Sequence, residues 1–262
     1  MMDRRSFLFV AMLVASFAAS TQQGRADTLA DITARGLIRV AVPQESPPFG
    51  TVGPDMQLQG LDIDVAKLIA TKLGVKLAFV PVTLPNRIPY LETNKADIVI
   101  ASLGKNPERE KVIDFTDAYA PFFNGVFAPA EVNIARPDDL AGKTLAVARG
   151  SIEDLALTKI APPAATIKRF EDNNTTISAF LTGQVDAIVT GNVIAAAILE
   201  KNPPRRPELK FIMNKSPCYI GLRKNDDNLK RRINEIIEAA REDGSLNRIT
   251  RKWLHQDVPA DL

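Results

Sequence analysis

Arg109 is the side chain whose setting points most directly to a ligand. It follows a short apolar run, DIVIA at residues 97–101, rich in β-branched residues and composed like a strand buried on both faces. Ser102, Leu103 and Gly104 form a small-residue turn. Asn106, Pro107 and Glu108 then read as an N-cap, a first helical position and a first-turn acid. A helix starting at the carboxyl end of a strand gathers its free N–H groups, its positive dipole end, the Ser102 hydroxyl and the Arg109 guanidinium around one point. An arginine in a first turn opposes the dipole, and an anion between the two removes the conflict. A carboxylate is the natural guest. The residues alone leave a second reading open, an ordinary loop-to-helix connection carrying a surface arginine.

Other chemistry is thinly represented. Cys218 and His255 are the only cysteine and the only histidine, which excludes an internal disulfide, a Cys/His nucleophile pair and a cysteine-histidine metal cluster. No phosphate-binding glycine loop is present, so neither a cofactor nor a metal is expected. His255 ends the last predicted helix, where a cation suits the helix C-terminus. Among acids, Glu45 and Glu153 are the nearest candidates by sequence for an acid or base in the cleft; a surface or helix-start glutamate is the ordinary reading of both.

The elements that position these residues alternate. Residues 38–42 and 75–80 read as strands around a helix whose apolar face is Leu61, Val65, Leu68, Ile69 and Leu73, with Asp62 and Asp64 in its first turn and Gly74 as its stop. The loop PQESPPFG, at 43–50, excludes regular structure by its prolines and glycine. Asn86 caps a short helix, and the strand at 97–101 completes a β-α-β-α-β unit, hence a parallel sheet with right-handed crossovers. A second such unit follows, with strands at 144–147, 166–170 and 186–189 and helices from Ser151 and Asn174. KADIVIAS at 95–102 and QVDAIVTG at 184–191 share a pattern of acid, buried run and small residue, a weak internal similarity.

Residues 121–129 and 211–223 look like extended segments leaving and rejoining the first unit, and two amphipathic helices follow, separated by Gly244. The expected fold is α/β: two doubly wound lobes joined by a two-strand hinge. Lobe 1 is expected to be discontinuous, residues 27–120 and 213–262, with lobe 2 at 121–212. The carboxyl ends of both sheets then face one cleft that closes by hinge motion.

Residues 1–26 read as an export signal: Arg4 and Arg5 precede an uncharged apolar run at 7–19, with Gly24 and Ala26 at cleavage-like positions. Whether export follows the general or the twin-arginine route stays open at DRRSFLF. Beyond residue 26 the chain carries thirty basic and thirty acidic side chains, a balance that gives no electrostatic ground for binding nucleic acid or an anionic membrane. The basic run KNPPRRP at 201–207 fits a solvated loop or a docking patch.

These landmarks together resemble the bacterial extracellular solute-binding proteins of the polar amino-acid type, family 3, which serve ABC importers. The resemblance rests on PPF at 47–49, GLDIDVAKLIATKLG at 60–74, NRIPYL at 86–91, SLGKNPERE at 102–110, DFTDAYA at 114–120, LAGKTLAVARGS at 140–151, GQVDAIV at 183–189, IGLRKND at 220–226 and GSLNRITRKW at 244–253. It implies the type II periplasmic binding fold, a monomer in the periplasm cleaved near Ala26, a membrane ABC permease as partner, and no catalysis. By resemblance Arg109 holds a ligand α-carboxylate in a two-pronged salt bridge, with Ser102, Gly104, Gly150, Ser151 and Ile152 around it. Phe49 matches an aromatic wall, and Arg87 matches an arginine that contacts ligand in acidic amino-acid binders, an exposed or sheet-flanking arginine being the alternative.

Departures from the family pattern concentrate at the other end of the ligand. Gly191 stands where an aspartate usually binds the α-ammonium, and Asn192 after it is expected to accept the ammonium's hydrogen bonds although it lacks the charge. Gly104 replaces a serine or threonine, Ile152 a threonine, and Ser46 stands near a usual aromatic. The resemblance therefore implies an amino acid or a related small carboxylate as ligand. It also reaches periplasmic cyclohexadienyl dehydratases, which is the enzyme alternative.

Overall fold

The computed structural model describes residues 27–260 and 262, so the expected signal at 1–26 lies outside the described residues. The chain runs α1 (Thr28–Arg35), β1 (Leu37–Pro43), β2 (Glu45–Ser46), β3 (Gly50–Val52), β4 (Leu58–Gln59), α2 (Leu61–Leu73), β5 (Lys76–Val82), α3 (Arg87–Glu92), β6 (Ile98–Leu103), α4 (Pro107–Glu110) and β7 (Ile113–Ala120). It continues with β8 (Phe123–Ala128), β9 (Thr144–Ala148), α5 (Ile152–Ile160), β10 (Thr166–Phe170), α6 (Asn173–Leu181), β11 (Ala187–Gly191), α7 (Asn192–Glu200) and β12 (Glu208–Lys215). The last elements are β13 (Cys218–Arg223), α8 (Asp227–Glu242) and α9 (Ser245–Leu254).

Local chemistry sets the boundaries. Helix α2 stops at Gly74, whose φ of 71° is a left-handed conformation that costs a glycine nothing. Side chains of Asp27, Asn106, Ser151 and Asp172 accept a backbone N–H at the starts of α1, α4, α5 and α6. Strands β6 and β11 are almost wholly buried because each is the centre of its sheet, which is why both read as continuous apolar runs.

The first sheet has the order β5-β1-β6-β13-β7 and the second β10-β9-β11-β8-β12. Pairs β1–β5, β1–β6, β9–β10 and β9–β11 are parallel, whereas β13 and β8 run antiparallel to their neighbours. The chain passes between sheets twice, through residues 121–122 and 216–217. β13 thereby returns to the first sheet, where α8 packs on β7 and α9 on α2 and α8. Residues 218–254 therefore add a strand and two helices to the sheet begun by β1. An apolar core continues from Ile63, Phe49 and Tyr119 through Phe122 into Ile188, Val193 and Phe180, so the two lobes are packed together along the hinge.

Three local expectations change. PQESPPFG is not irregular throughout: Glu45 pairs with Thr51 and Ser46 with Gly50, in a small sheet with β4. Pro47 and Pro48 sit in the connection between strands, where a missing N–H breaks no ladder. β6 also runs on through Ser102 to Leu103, because Leu103 pairs with Tyr219 from the far end of the chain. Finally, α4 is a single turn. Its dipole is correspondingly slight, and any anion site beside it must rest on side chains.

Candidate functional site

Two arginines from the first lobe meet one backbone oxygen of the second. Arg109 donates from Nη1 to Gly104 O at 2.6 Å and from Nη2 to Gly150 O at 2.9 Å. Arg87 donates from Nε to Leu84 O at 2.9 Å, from Nη1 to Ala101 O at 2.9 Å and Ser102 O at 3.3 Å, and from Nη2 to Gly150 O at 3.2 Å. Both side chains are buried, at 2% and 6% exposure for Arg87 and Arg109. Burial, with Arg109 next to it, pushes Arg87 down to about 9, and burial pushes Arg109 down to about 10, so both stay cationic at neutral pH. Buried guanidiniums aimed at one point form a site for a planar anion.

The opposing loop is built to present that oxygen. Gly150 has φ 68°, and its N–H donates to Asp154 Oδ2 at 3.0 Å. Ser151 Oγ caps α5 by accepting from Asp154 N at 3.0 Å, and Arg169 Nε fixes Asp154 Oδ1 at 2.8 Å. Ile152 packs against Gly104: a Cβ on residue 104 would stand 3.1 Å from Ile152 Cβ and 2.6 Å from Ser216 Oγ. The lobes therefore close on a position with no side chain. The structure thus draws Arg87, Ser102, Gly104, Arg109, Gly150, Ser151 and Ile152 together. A cavity of about 340 Å³ opens beside the arginines, walled by Leu84, Pro85, Ile88, Val112 and Leu155. Its size suits a small molecule.

Glu153, from the first turn of α5, is the acid facing the pair. It is buried, and burial pushes its carboxyl above the usual range despite a hydrogen bond with Ser151 and the charges of Arg87 and Arg109. Glu45 lies instead in the small sheet, paired with Thr51. The Ser102 amide is not free, since it donates to Asp62 Oδ2 at 2.7 Å from a backbone φ of 44°. Tyr119 Oη donates to Asp62 Oδ1 at 2.7 Å, so this fully buried carboxyl braces the end of β6 from behind. Ser216, at the second interlobe crossing, has a buried Oγ with no hydrogen-bond partner.

At the far side, Phe49 is fully buried and its ring meets that of Phe122 at 5.6 Å between centroids. Phe122 also covers the end of β11. A Cβ on Gly191 would lie 1.8 Å from Phe122 Cζ, so the ring occupies the place of any side chain at that position. Asn192 is turned to the hinge, where its Oδ1 accepts from Phe123 N at 2.9 Å. Gly191→Ala is therefore expected to destabilise the protein by about 2–3 kcal/mol through overpacking. Urea denaturation checks it, and Phe122→Leu in the same chain is expected to recover part of the loss.

The lobes are joined elsewhere by Asn173 Nδ2 donating to Ser46 Oγ at 2.6 Å, by an exposed ion pair of Lys159 with Glu108 at 3.0 Å, and by a contact of His255 Nε2 with Glu200 at 3.4 Å. Such surface pairs contribute little. In KNPPRRP, Arg205 is a structural residue: it donates to Val185 O and Asp186 O and lies over the Phe180 ring.

Residues 38–256 match the family model of bacterial extracellular solute-binding proteins, family 3. The chain belongs to that family. Among its relatives, the glutamine-binding protein of an ABC transporter in Bacillus subtilis is 29% identical, with 97% of this chain and 96% of the relative aligned. The L-cystine-binding protein of Escherichia coli is 26% identical over 97% of both chains. An ancestral amino acid-binding protein, described as a precursor of cyclohexadienyl dehydratase, superposes with a TM-score of 0.80 at 31% identity, covering 87% of this chain and 99% of the other. A cysteine-binding protein from Campylobacter jejuni gives 0.82 at 29% identity, with 90% and 96% covered. This family 3 protein has the two-lobed type II periplasmic binding fold anticipated from its motifs.

Four residues of the site escaped sequence reasoning. Asp62 looked like any first-turn helix acid, Tyr119 and Phe122 like strand and hinge apolar residues, and Ser216 belonged to no motif. No sequence signal tied Phe122 to Gly191, since the two are sixty-nine residues apart in the chain.

Proposed function

We propose that this family 3 protein is the periplasmic capture component of an ABC importer, acting as a monomer that closes its two lobes over an amino acid or related small carboxylate. The observation that carries this reading is the convergence of Arg87 and Arg109 on Gly150 O across the lobes. In the closed conformation that carbonyl stands where an anionic oxygen of a solute would be received. The names of the relatives support amino-acid transport, and Ser102, Gly104, Ser151 and Ile152 surround or back the same point, with Phe49 at the far side against Phe122. The lobe boundaries proposed for closure are 27–120 with 213–262 and 121–212.

Calorimetry of the unfolded and refolded protein against amino acids and small carboxylates tests the proposal, with saturable one-to-one binding as the expected result. An enzyme on the same fold would use Glu153, the buried acid of the cleft. Failure to bind across that panel, together with turnover of prephenate or arogenate, would establish the enzyme instead. The binding reading is preferred because relatives aligned along nearly the whole chain are named as binding proteins.

A further inference from the structure

The cleft sets two cations around one point, and Glu108, the carboxylate lining the cavity beside them, is paired with Lys159 at 3.0 Å. Its donors are the Arg87 and Arg109 guanidiniums and the Ser216 hydroxyl, whose buried oxygen has no partner and lies beside Gly104. Its carbonyl acceptors, Ser102 O, Gly104 O and Gly150 O, all receive a guanidinium N–H. An ammonium brought to them would meet two fixed cations. Asp62 is fully buried behind the end of β6, its oxygens turned to Ser102 N and Tyr119 Oη.

The end of β11 is closed to an acceptor for a steric reason. The Phe122 ring fills the space of a side chain at Gly191, and Asn192 Oδ1 is bonded to Phe123 N. Glu153 remains. Its carboxyl is hydrogen-bonded with Ser151 and faces Arg87 and Arg109, which already balance a charge there, and burial pushes it above the usual carboxylate range. A desolvated ammonium without a charged or free acceptor is strongly disfavoured.

Building on the solute-binding reading, we infer that the ligand is a small carboxylate with no ammonium on the carbon next to the carboxylate, such as a 2-oxo or 2-hydroxy acid. The carboxylate lies on Arg109 and Arg87, and the oxygen at the second carbon receives the Ser216 hydroxyl. The face that would carry an ammonium lies against Phe122.

Calorimetry with matched pairs decides it: leucine against 4-methyl-2-oxopentanoate, phenylalanine against phenylpyruvate, and glutamate against 2-oxoglutarate. In the pairs that bind, the oxo acid is expected to bind at least about tenfold more tightly than the amino acid of the same side chain, the loss that an unpaired buried charge brings. Ser216→Ala is expected to weaken oxo-acid binding by about tenfold, the loss of one buried hydrogen bond to the oxygen at the second carbon. Amino acids binding equally or more tightly would overturn the inference while leaving the solute-binding reading intact. Loss of amino-acid binding in Glu153→Gln would then identify Glu153 as the ammonium acceptor. Absence of binding by every acid in the panel would overturn the solute-binding reading as well.

Discussion

Arg109→Lys is expected to raise the Kd for the best-bound carboxylate by about 100-fold, a loss of about 3 kcal/mol. Arg109 reaches Gly104 O and Gly150 O with separate nitrogens of one planar group, leaving the guanidinium edge oriented across the cleft. A lysine keeps the charge but has a single nitrogen on a flexible stem. It cannot hold its own lobe's carbonyl and a carboxylate in fixed geometry at once. The substitution also weakens the contact that draws Gly150 toward the first lobe, so dissociation is expected to quicken more than association slows. Calorimetry and stopped-flow fluorescence measure the two effects, with circular dichroism to confirm that the variant is folded. Affinity within twofold of the parent protein would place the carboxylate elsewhere. Arg87 makes a poorer test, because three of its bonds hold the carbonyls of Leu84, Ala101 and Ser102 and its loss disturbs the first lobe itself.

The second large effect is on stability. Burial pushes the Asp62 carboxyl up to about 7, against the hydrogen bonds from Tyr119 and Ser102 and the charge of Arg87, whereas its ordinary value is 3.8. Between those values the folded protein keeps a proton that the unfolded chain has released. Stability therefore falls as pH rises from about 4 to about 7 and levels off above, by a total of about 4 kcal/mol from this group. Glu153, also raised by burial, adds to the fall. Asp64 and Asp114 act in the opposite sense: hydrogen bonds from Lys252 and Trp253, and from Lys224 and Asn225, outweigh partial burial and lower both, so their contribution is lost at more acid pH. Urea midpoints at pH 4.5 and pH 8 are expected to show the protein less stable at the higher pH. Asp62→Asn is expected to have a lower baseline, since its amide meets the Ser102 N–H, and a much flatter dependence. An unchanged slope in that variant would show that Asp62 is not the group responsible.

The sequence alone determined the framework of this protein. Helix stops at Gly74 and Gly244, caps at Asn106 and Ser151, and the buried runs before Ser102 and Gly191 depend on interactions within a few residues, so they are legible locally. The position of Arg109 after a strand and a cap is equally local, and by itself it left an anion site and a surface arginine both open. Motif order then supplied the lobes and the opposing loop at Gly150.

Tertiary structure decided how the site works. Only when β13 returned to pair with β6 did the strand run on through Ser102, and only the fold brought Asp62 and Tyr119 behind it. The anticipated gathering at a helix start gave way to two guanidiniums and a carbonyl from the other lobe, since α4 is one turn long. The absence of an aspartate at Gly191 was plain from the sequence, but its consequence was not. Residues 122 and 191 are neighbours only across the hinge, and the Phe122 ring fills the gap because two chain segments sixty-nine residues apart pack against each other there. Local propensity is encoded by adjacent residues, whereas steric exclusion and desolvation arise from distant ones brought together, which is why Phe122 over Gly191 and the buried arginine pair appear only in the fold.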